Sequence, residues 1–200
     1  MLYRIGFILM WPFVKLLFPT KVIGKKNMPK DNFVGVCNHY SNLDVVLLAI
    51  NVKRFYYLGK KELFSTKFKS WFFKKAGVFP VDRDKPDMSS IKFALKTISS
   101  GKNFMVFPEG TRNKSEDLEH LQQVKQGAIM FASKTGKQIV PMIFDRPPKL
   151  FRRTKIIIGE PISIKGQVPT KLTKEEMDEN TQILVKKMED LRLVLNKNKK

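Results

Sequence analysis

Cysteine is nearly absent from this 200-residue chain: there is one, Cys37, and no intramolecular disulfide or Cys-rich zinc site can be built from it. A reducing compartment is the default for such a chain. Histidine is almost as scarce, with His39 and His120 only. They share no ligand spacing with carboxylates, so no metal site is expected. Acidic residues are few, 18 Asp and Glu against 38 Lys and Arg, which leaves a formal charge of +20. Long apolar runs are missing too. The longest uncharged stretch near the amino terminus, Ile5 to Val14, is half of the roughly 20 residues that span a bilayer. No small-x-small cleavage site follows it, so it does not read as a secretory signal. At 42% hydrophobic and 28% charged, the chain is neither disordered nor polytopic. Its length fits one domain, or one domain with an appendage.

What is abundant is positive charge, and it implies a polyanionic partner. Residues 53 to 75 hold eight Lys or Arg against Glu62 alone, interleaved with aromatics such as Phe55, Tyr57, Phe68 and Trp71. That mixture fits bases of a single-stranded nucleic acid stacked on the rings, or a helix at a bilayer interface. It also fits an ordinary amphipathic helix. The amino terminus tilts the choice. Residues 2 to 18 carry Trp11, Phe13 and Phe18, and are interrupted by Pro12 and Lys15. They read as an in-plane anchor helix, which makes an anionic membrane surface the favoured partner and nucleic acid an unexpected one. A core-packing amphipathic helix is the alternative for this segment.

From Asn32 onward, short apolar runs alternate with helical patterns. Strands are expected at residues 33–37, 78–81, 103–107, 138–144 and 155–158. Helices are expected from Asp44, from a cap at Asp87 to Gly101, over residues 124–134 up to Gly136, and from a Thr173–Glu176 capping box. The last helix has Met177, Leu184, Met188, Leu191 and Leu195 on one stripe. This order predicts an α/β fold: a mixed, largely parallel sheet flanked by helices, preceded by an N-terminal membrane-associated helix. Residues 1–20 form the anchor, 21–170 the α/β domain, and 171–200 an amphipathic helix with a basic tail.

Ligands of such sheets bind beyond strand ends, and the chemistry-bearing residues fall there. Asn38-His39-Tyr40-Ser41-Asn42-Leu43-Asp44 follows the first predicted strand. Histidine is the side chain that exchanges protons near neutral pH. A carboxylate five residues on can return to its Nδ1, fix the tautomer and leave Nε2 as a general base. Alternatively, His39 bonds a backbone carbonyl and Asp44 caps the helix. Phe107-Pro108-Glu109-Gly110-Thr111-Arg112 offers a tight turn with a guanidinium fork, or a turn whose Glu and Arg pair with each other. Arg83 closes Gly77-Val78-Phe79-Pro80-Val81-Asp82-Arg83, and with Arg112 it could grip one phosphate dianion. Cys37 lies two residues from His39 on the same strand face, which admits a covalent route through its thiol as an alternative.

The succession NHYSNLD, GVFPVDR, FPEGTR and IVPM closely resembles the four-block signature of the glycerolipid acyltransferases, most of all their PlsC-like 1-acyl-sn-glycerol-3-phosphate branch. The resemblance covers about residues 22 to 165, with Asn113 standing where Ser is usual. It implies transfer of a fatty acyl group from acyl-CoA or acyl carrier protein to the sn-2 hydroxyl of lysophosphatidate, with no bound cofactor. His39 resembles the base and Asp44 its orienting carboxylate. Arg83, Glu109, Gly110 and Arg112 resemble the acceptor site, with Lys60 and Lys61 as basic neighbours and Pro141 as a structural residue. The resemblance also implies a peripheral, monotopic enzyme on the cytoplasmic face of the cell membrane. Glycerol 3-phosphate or another lysophospholipid is the alternative acceptor. A non-catalytic membrane- or nucleic-acid-binding protein is the remote alternative.

Overall fold

Runs that are apolar at every position need cover on both faces, and that requirement organises the molecule. The computed structural model describes residues 11–82, 87–110, 124–164 and 168–197, with side chains through Val194. Strands β2 (Val34–Cys37) and β6 (Ile139–Phe144) are buried along their whole length. They pair in parallel at the centre of a five-stranded sheet. Its other strands are β1 (Thr20–Ile23), β5 (Phe104–Val106) and β7 (Thr154–Ile158), in the order β1-β7-β6-β2-β5. Only the β6–β7 pair is antiparallel, so the sheet is mixed and largely parallel, as expected. A parallel pair, β3 (Tyr57–Lys60) and β4 (Val78–Val81), continues beyond β5 through a parallel Tyr56–Phe104 bridge.

Alternation along the strands sorts side chains into two layers. On one face, Val34, Val36, Phe104, Ile139 and Ile143 are covered by α4 (Met88–Ser99), α5 (Gly127–Thr135) and α6 (Lys174–Lys197). On the other, Phe33, Cys37, Met142 and Ile156 meet Leu47 and Leu48 of α2 (Leu43–Asn51). Val14 and Phe18, from and just after α1 (residues 11–17), lie against this second layer. So does Phe73 of α3 (Lys67–Lys75). The first half of the predicted anchor lies outside the described residues. No helix among the described residues is long and apolar enough to cross a membrane.

The predicted caps form. Asp87 accepts the Ser89 and Ser90 N–H groups, and the Ser89 and Ser90 hydroxyls hold its carboxyl down at about 2. Thr173 and Glu176 cap α6 reciprocally, at 2.8 and 3.2 Å. Leu184 and Met188 of its predicted stripe are fully buried, while the Leu195 side chain lies outside the described residues. Helix α5 starts at Gly127, three residues later than predicted, and Lys125 N–H just before it donates to Pro108 O at 2.9 Å. It ends as expected on Gly136, at φ 62°.

Candidate active site

Strands β2, β3, β4, β5 and β6 all point the same way, so the segments after them share one edge of the sheet. At that edge β2 stops because Asn38 substitutes its side chain for the ladder. Its amide donates to Phe144 O at 3.1 Å and accepts from Phe144 N–H at 2.8 Å. The chain then turns through His39 into α2.

Asp44 occupies the first turn of α2 and is completely buried. Its Oδ2 accepts from Tyr40 N–H at 2.6 Å, Ser41 N–H at 2.8 Å and His39 Nδ1 at 2.9 Å. The structure has the His39–Asp44 contact, and not the alternative in which His39 bonds a backbone carbonyl and Asp44 is the N-cap. Asp44 orients the histidine and also ties down the turn, while the N-cap position itself belongs to Asn42. A carboxylate at a helix N-terminus is further favoured by the helix dipole. His39 is nine-tenths buried, and its Nε2 makes no hydrogen bond among the described residues. The imidazole stacks on Phe107 at 4.0 Å, and Phe107 stacks in turn on Tyr57 at 6.1 Å. Three strands thus hold the ring in place.

Phe107 opens the second block. Gly110 N–H returns to Phe107 O at 3.0 Å, and Gly110 takes φ 70°. A Cβ there would lie 3.1 Å from Cε and Nζ of Lys125, so this cation runs alongside the turn. Glu109 is buried behind it. The structure therefore brings together His39, Asp44, Glu109 and Gly110. Lys60 and Lys61 stand at the end of β3 on the same edge, both exposed. Arg83 and Arg112 lie outside the described residues, as does His120. Val45 and Val46 are half-buried, while Leu47 and Leu48 simply pack in the core. The Pro141 ring faces Leu191 of α6 near Gly159, a structural position on the opposite side of the sheet from Cys37.

Cys37 is fully buried. Burial above all, and then the Asp44 charge, pushes its thiol well above the usual range. That disfavours the thiolate a covalent route requires. Two neighbours were not foreseen. Burial raises the Tyr40 hydroxyl, opposed mainly by the Arg192 charge. Arg192 is itself buried on α6, with neither terminal nitrogen hydrogen-bonded among the described residues. Its signal in the sequence was spacing: it follows Leu184 and Met188 at four-residue intervals, a charge on the apolar row.

An α/β sheet covered on both faces, with a buried His–Asp dyad at its strand ends, defines the class of protein. Comparison with known proteins narrows it. A family model described as Acyltransferase matches residues 19–145. A 1-acyl-sn-glycerol-3-phosphate acyltransferase of Bacillus subtilis is 38% identical over 151 residues, covering 72% of this chain and 73% of the relative. One from Streptococcus pneumoniae is 30% identical over 142 residues, covering 67% of this chain and 51% of the relative. The crystal structure of PlsC from Thermotoga maritima superimposes with a TM-score of 0.67 at 25% identity, covering 92% of this chain and 78% of that one. The chain belongs to the acyltransferase family.

Proposed function

We propose that this enzyme moves a fatty acyl group from an acyl thioester to the sn-2 hydroxyl of lysophosphatidate, giving phosphatidate. The observation that carries the mechanism is the 2.9 Å contact between His39 Nδ1 and Asp44 Oδ2, with Nε2 left for substrate. His39 Nε2 takes the hydroxyl proton as the oxygen attacks the thioester carbonyl. The tetrahedral oxyanion collapses, the C–S bond breaks, and the thiolate leaves with the proton returned from His39. Buried Asp44 stabilises the transient imidazolium. Arg83 and Arg112 anchor the acceptor phosphate, and Gly110 lets the loop backbone come close. Lys60, Lys61 and Lys125 add positive charge around the anion, and Glu109 belongs to the same acceptor site. The relatives' names support lysophosphatidate as acceptor. Acyl-CoA and acyl carrier protein both deliver the required thioester.

Peripheral attachment to the cytoplasmic face of the membrane completes the reading. Residues 1–20 serve as the anchor and residues 21–170 as the catalytic domain. Trp11, Phe13 and Leu16 on α1, with Phe68, Trp71 and Phe72 on α3, are exposed large apolar side chains. Lys15 lies among the first three, and Lys67, Lys69, Lys74 and Lys75 flank the others, a mixture suited to an interfacial surface.

The test is transfer of labelled oleoyl thioester to lysophosphatidate in lipid–detergent micelles, with wild type beside His39→Ala. Glycerol 3-phosphate and lysophosphatidylcholine run as parallel acceptors. Phosphatidate formed by wild type alone is the expected result. No product from folded wild type with either donor and any acceptor would overturn it.

A further inference from the structure

Between β6 and β7 the chain runs Asp145-Arg146-Pro147-Pro148-Lys149-Leu150-Phe151-Arg152-Arg153. Asp145, its only acid, is already paired with Arg146 at 3.0 Å. The tip is a tight turn in which Arg152 N–H donates to Lys149 O at 3.2 Å. Its two central residues are the least expected ones. Leu150 is 60% exposed, and Phe151, at 72%, is the most exposed large apolar side chain among the described residues. Phe151 also has φ 57°, the one positive value outside glycine among the described residues. Its place in the turn is one that glycine or asparagine normally fills. A bulky residue held in a left-handed conformation with its ring in water gains nothing for the fold.

The turn is not isolated. Phe151 N–H donates to Leu17 O at 2.7 Å, and Thr154 N–H to Pro19 O at 2.9 Å, which fixes the turn against the end of α1. Beside it lies a shallow hollow of about 360 Å³ lined by Lys15, Pro19, Thr20, Lys21 and Arg153. Three cations and no carboxylate border it. An apolar tip flanked by Lys149, Arg152 and Arg153, next to a cationic hollow and tied through Leu17 to the helix that carries exposed Trp11, Phe13 and Leu16, matches a lipid surface carrying anionic headgroups.

We propose that residues 149–153 form a second membrane contact: Leu150 and Phe151 enter the interface as a wedge, and the surrounding cations, with the Lys15–Lys21–Arg153 hollow, hold lipid phosphates. This rests on the peripheral attachment proposed above and adds a second point to it. Two contacts on one rigid body would set the tilt of the domain on the membrane, which α1 alone would leave free.

The experiment is flotation of the full chain with vesicles of phosphatidylcholine, with or without phosphatidylglycerol. Leu150→Ser/Phe151→Ser should lower partitioning at least tenfold on both compositions, with acyl transfer to a short-chain soluble acceptor unchanged. Arg152→Ala/Arg153→Ala should lose about fivefold per cation on the anionic vesicles only. Phe151→Gly relieves the backbone, so its Tm should not fall while flotation weakens; a lowered Tm would mean that Phe151 serves folding and would overturn the wedge. Flotation of Leu150→Ser/Phe151→Ser equal to wild type, while Trp11→Ser/Phe13→Ser/Leu16→Ser is lost, would overturn it and leave the α1 anchor standing. Wild type that fails to float defeats the attachment itself and the wedge with it. If Arg152→Ala/Arg153→Ala weakens capture of an acidic acyl carrier protein and leaves flotation intact, the surface docks protein and the proposal falls.

Discussion

Asp44→Asn separates the two duties that one carboxylate performs. Oδ2 accepts three donors, two from the backbone of the Tyr40–Ser41 turn and one from His39. An asparagine oxygen in the same position can keep the two backbone bonds, so the turn and the entry to α2 should survive with a Tm near that of wild type. The negative charge facing Nδ1 is lost. A hydrogen bond to a charged group is worth about 1.5–3 kcal/mol, and that stabilisation of the imidazolium applies in the transition state and not in the resting enzyme. At about 1.4 kcal/mol per decade, kcat should fall about 10- to 150-fold. The loss grows if the amide turns its NH2 toward Nδ1, because Nε2 then carries the proton and cannot act as base. Asp44 does not belong to the proposed acceptor clamp, so KM for lysophosphatidate should stay within about twofold. Release of free thiol, followed continuously with a thiol-reactive dye, measures both constants. A folded Asp44→Asn enzyme with kcat within threefold of wild type would refute the dyad as a catalytic unit.

Cys37→Ala should retain most of wild-type kcat, since the buried thiol is held protonated by its surroundings; a hundredfold loss in the same thiol-release assay would reinstate a covalent intermediate. Gly110→Ala imposes a left-handed alanine at a cost of about 1–2 kcal/mol, which should lower Tm by about 2–8 °C in a thermal melt and raise KM for the phosphorylated acceptor. Unchanged values would show that the turn can relax. The Asp87 carboxyl sits at about 2 when folded, below its ordinary 3.8. The cap therefore contributes fully above about pH 5 and is lost progressively as pH falls through 3.8 toward 2. Chemical denaturation of Asp87→Asn beside wild type should show the stability difference shrinking across that window, and a difference constant in pH would remove the charge from the explanation.

Elements that were legible in the sequence are those whose local pattern has one physical solution. Residues 34–37, 104–106 and 139–144 are short and apolar throughout, which only a strand covered on both faces accommodates economically. Thr173 with Glu176, and Asp87 ahead of Ser89 and Ser90, are capping chemistry written in neighbouring residues. β1 and β3 escaped notice for the converse reason. Thr20-Lys21-Val22-Ile23 is an edge strand with a lysine facing out, and its partner β7 lies more than a hundred residues away. Tyr57-Leu58-Gly59-Lys60 sits inside the basic-aromatic stretch, where a helix and a strand present similar compositions.

The site divides along the same line. His39 and Asp44 are five residues apart, and the turn between them has few ways to close, so their contact could be read from spacing. Phe107 against His39 could not, because it needs β5 beside β2, and Tyr57 behind Phe107 needs β3 beyond β5. Arg192 is the extreme case. Leu191, beside it, packs against Pro141 and Gly159, and Pro141 pairs with Val36 only three residues before His39. A charge on the last helix therefore arrives next to Tyr40 through three long-range adjacencies, none of which leaves a local trace. What spacing does leave is an anomaly, an arginine four residues after Met188 on the row that carries the buried Leu184 and Met188. A charged residue that breaks a helix's apolar period and is nonetheless buried is being held there by tertiary structure, and the neighbours that hold it are the ones to seek at the site.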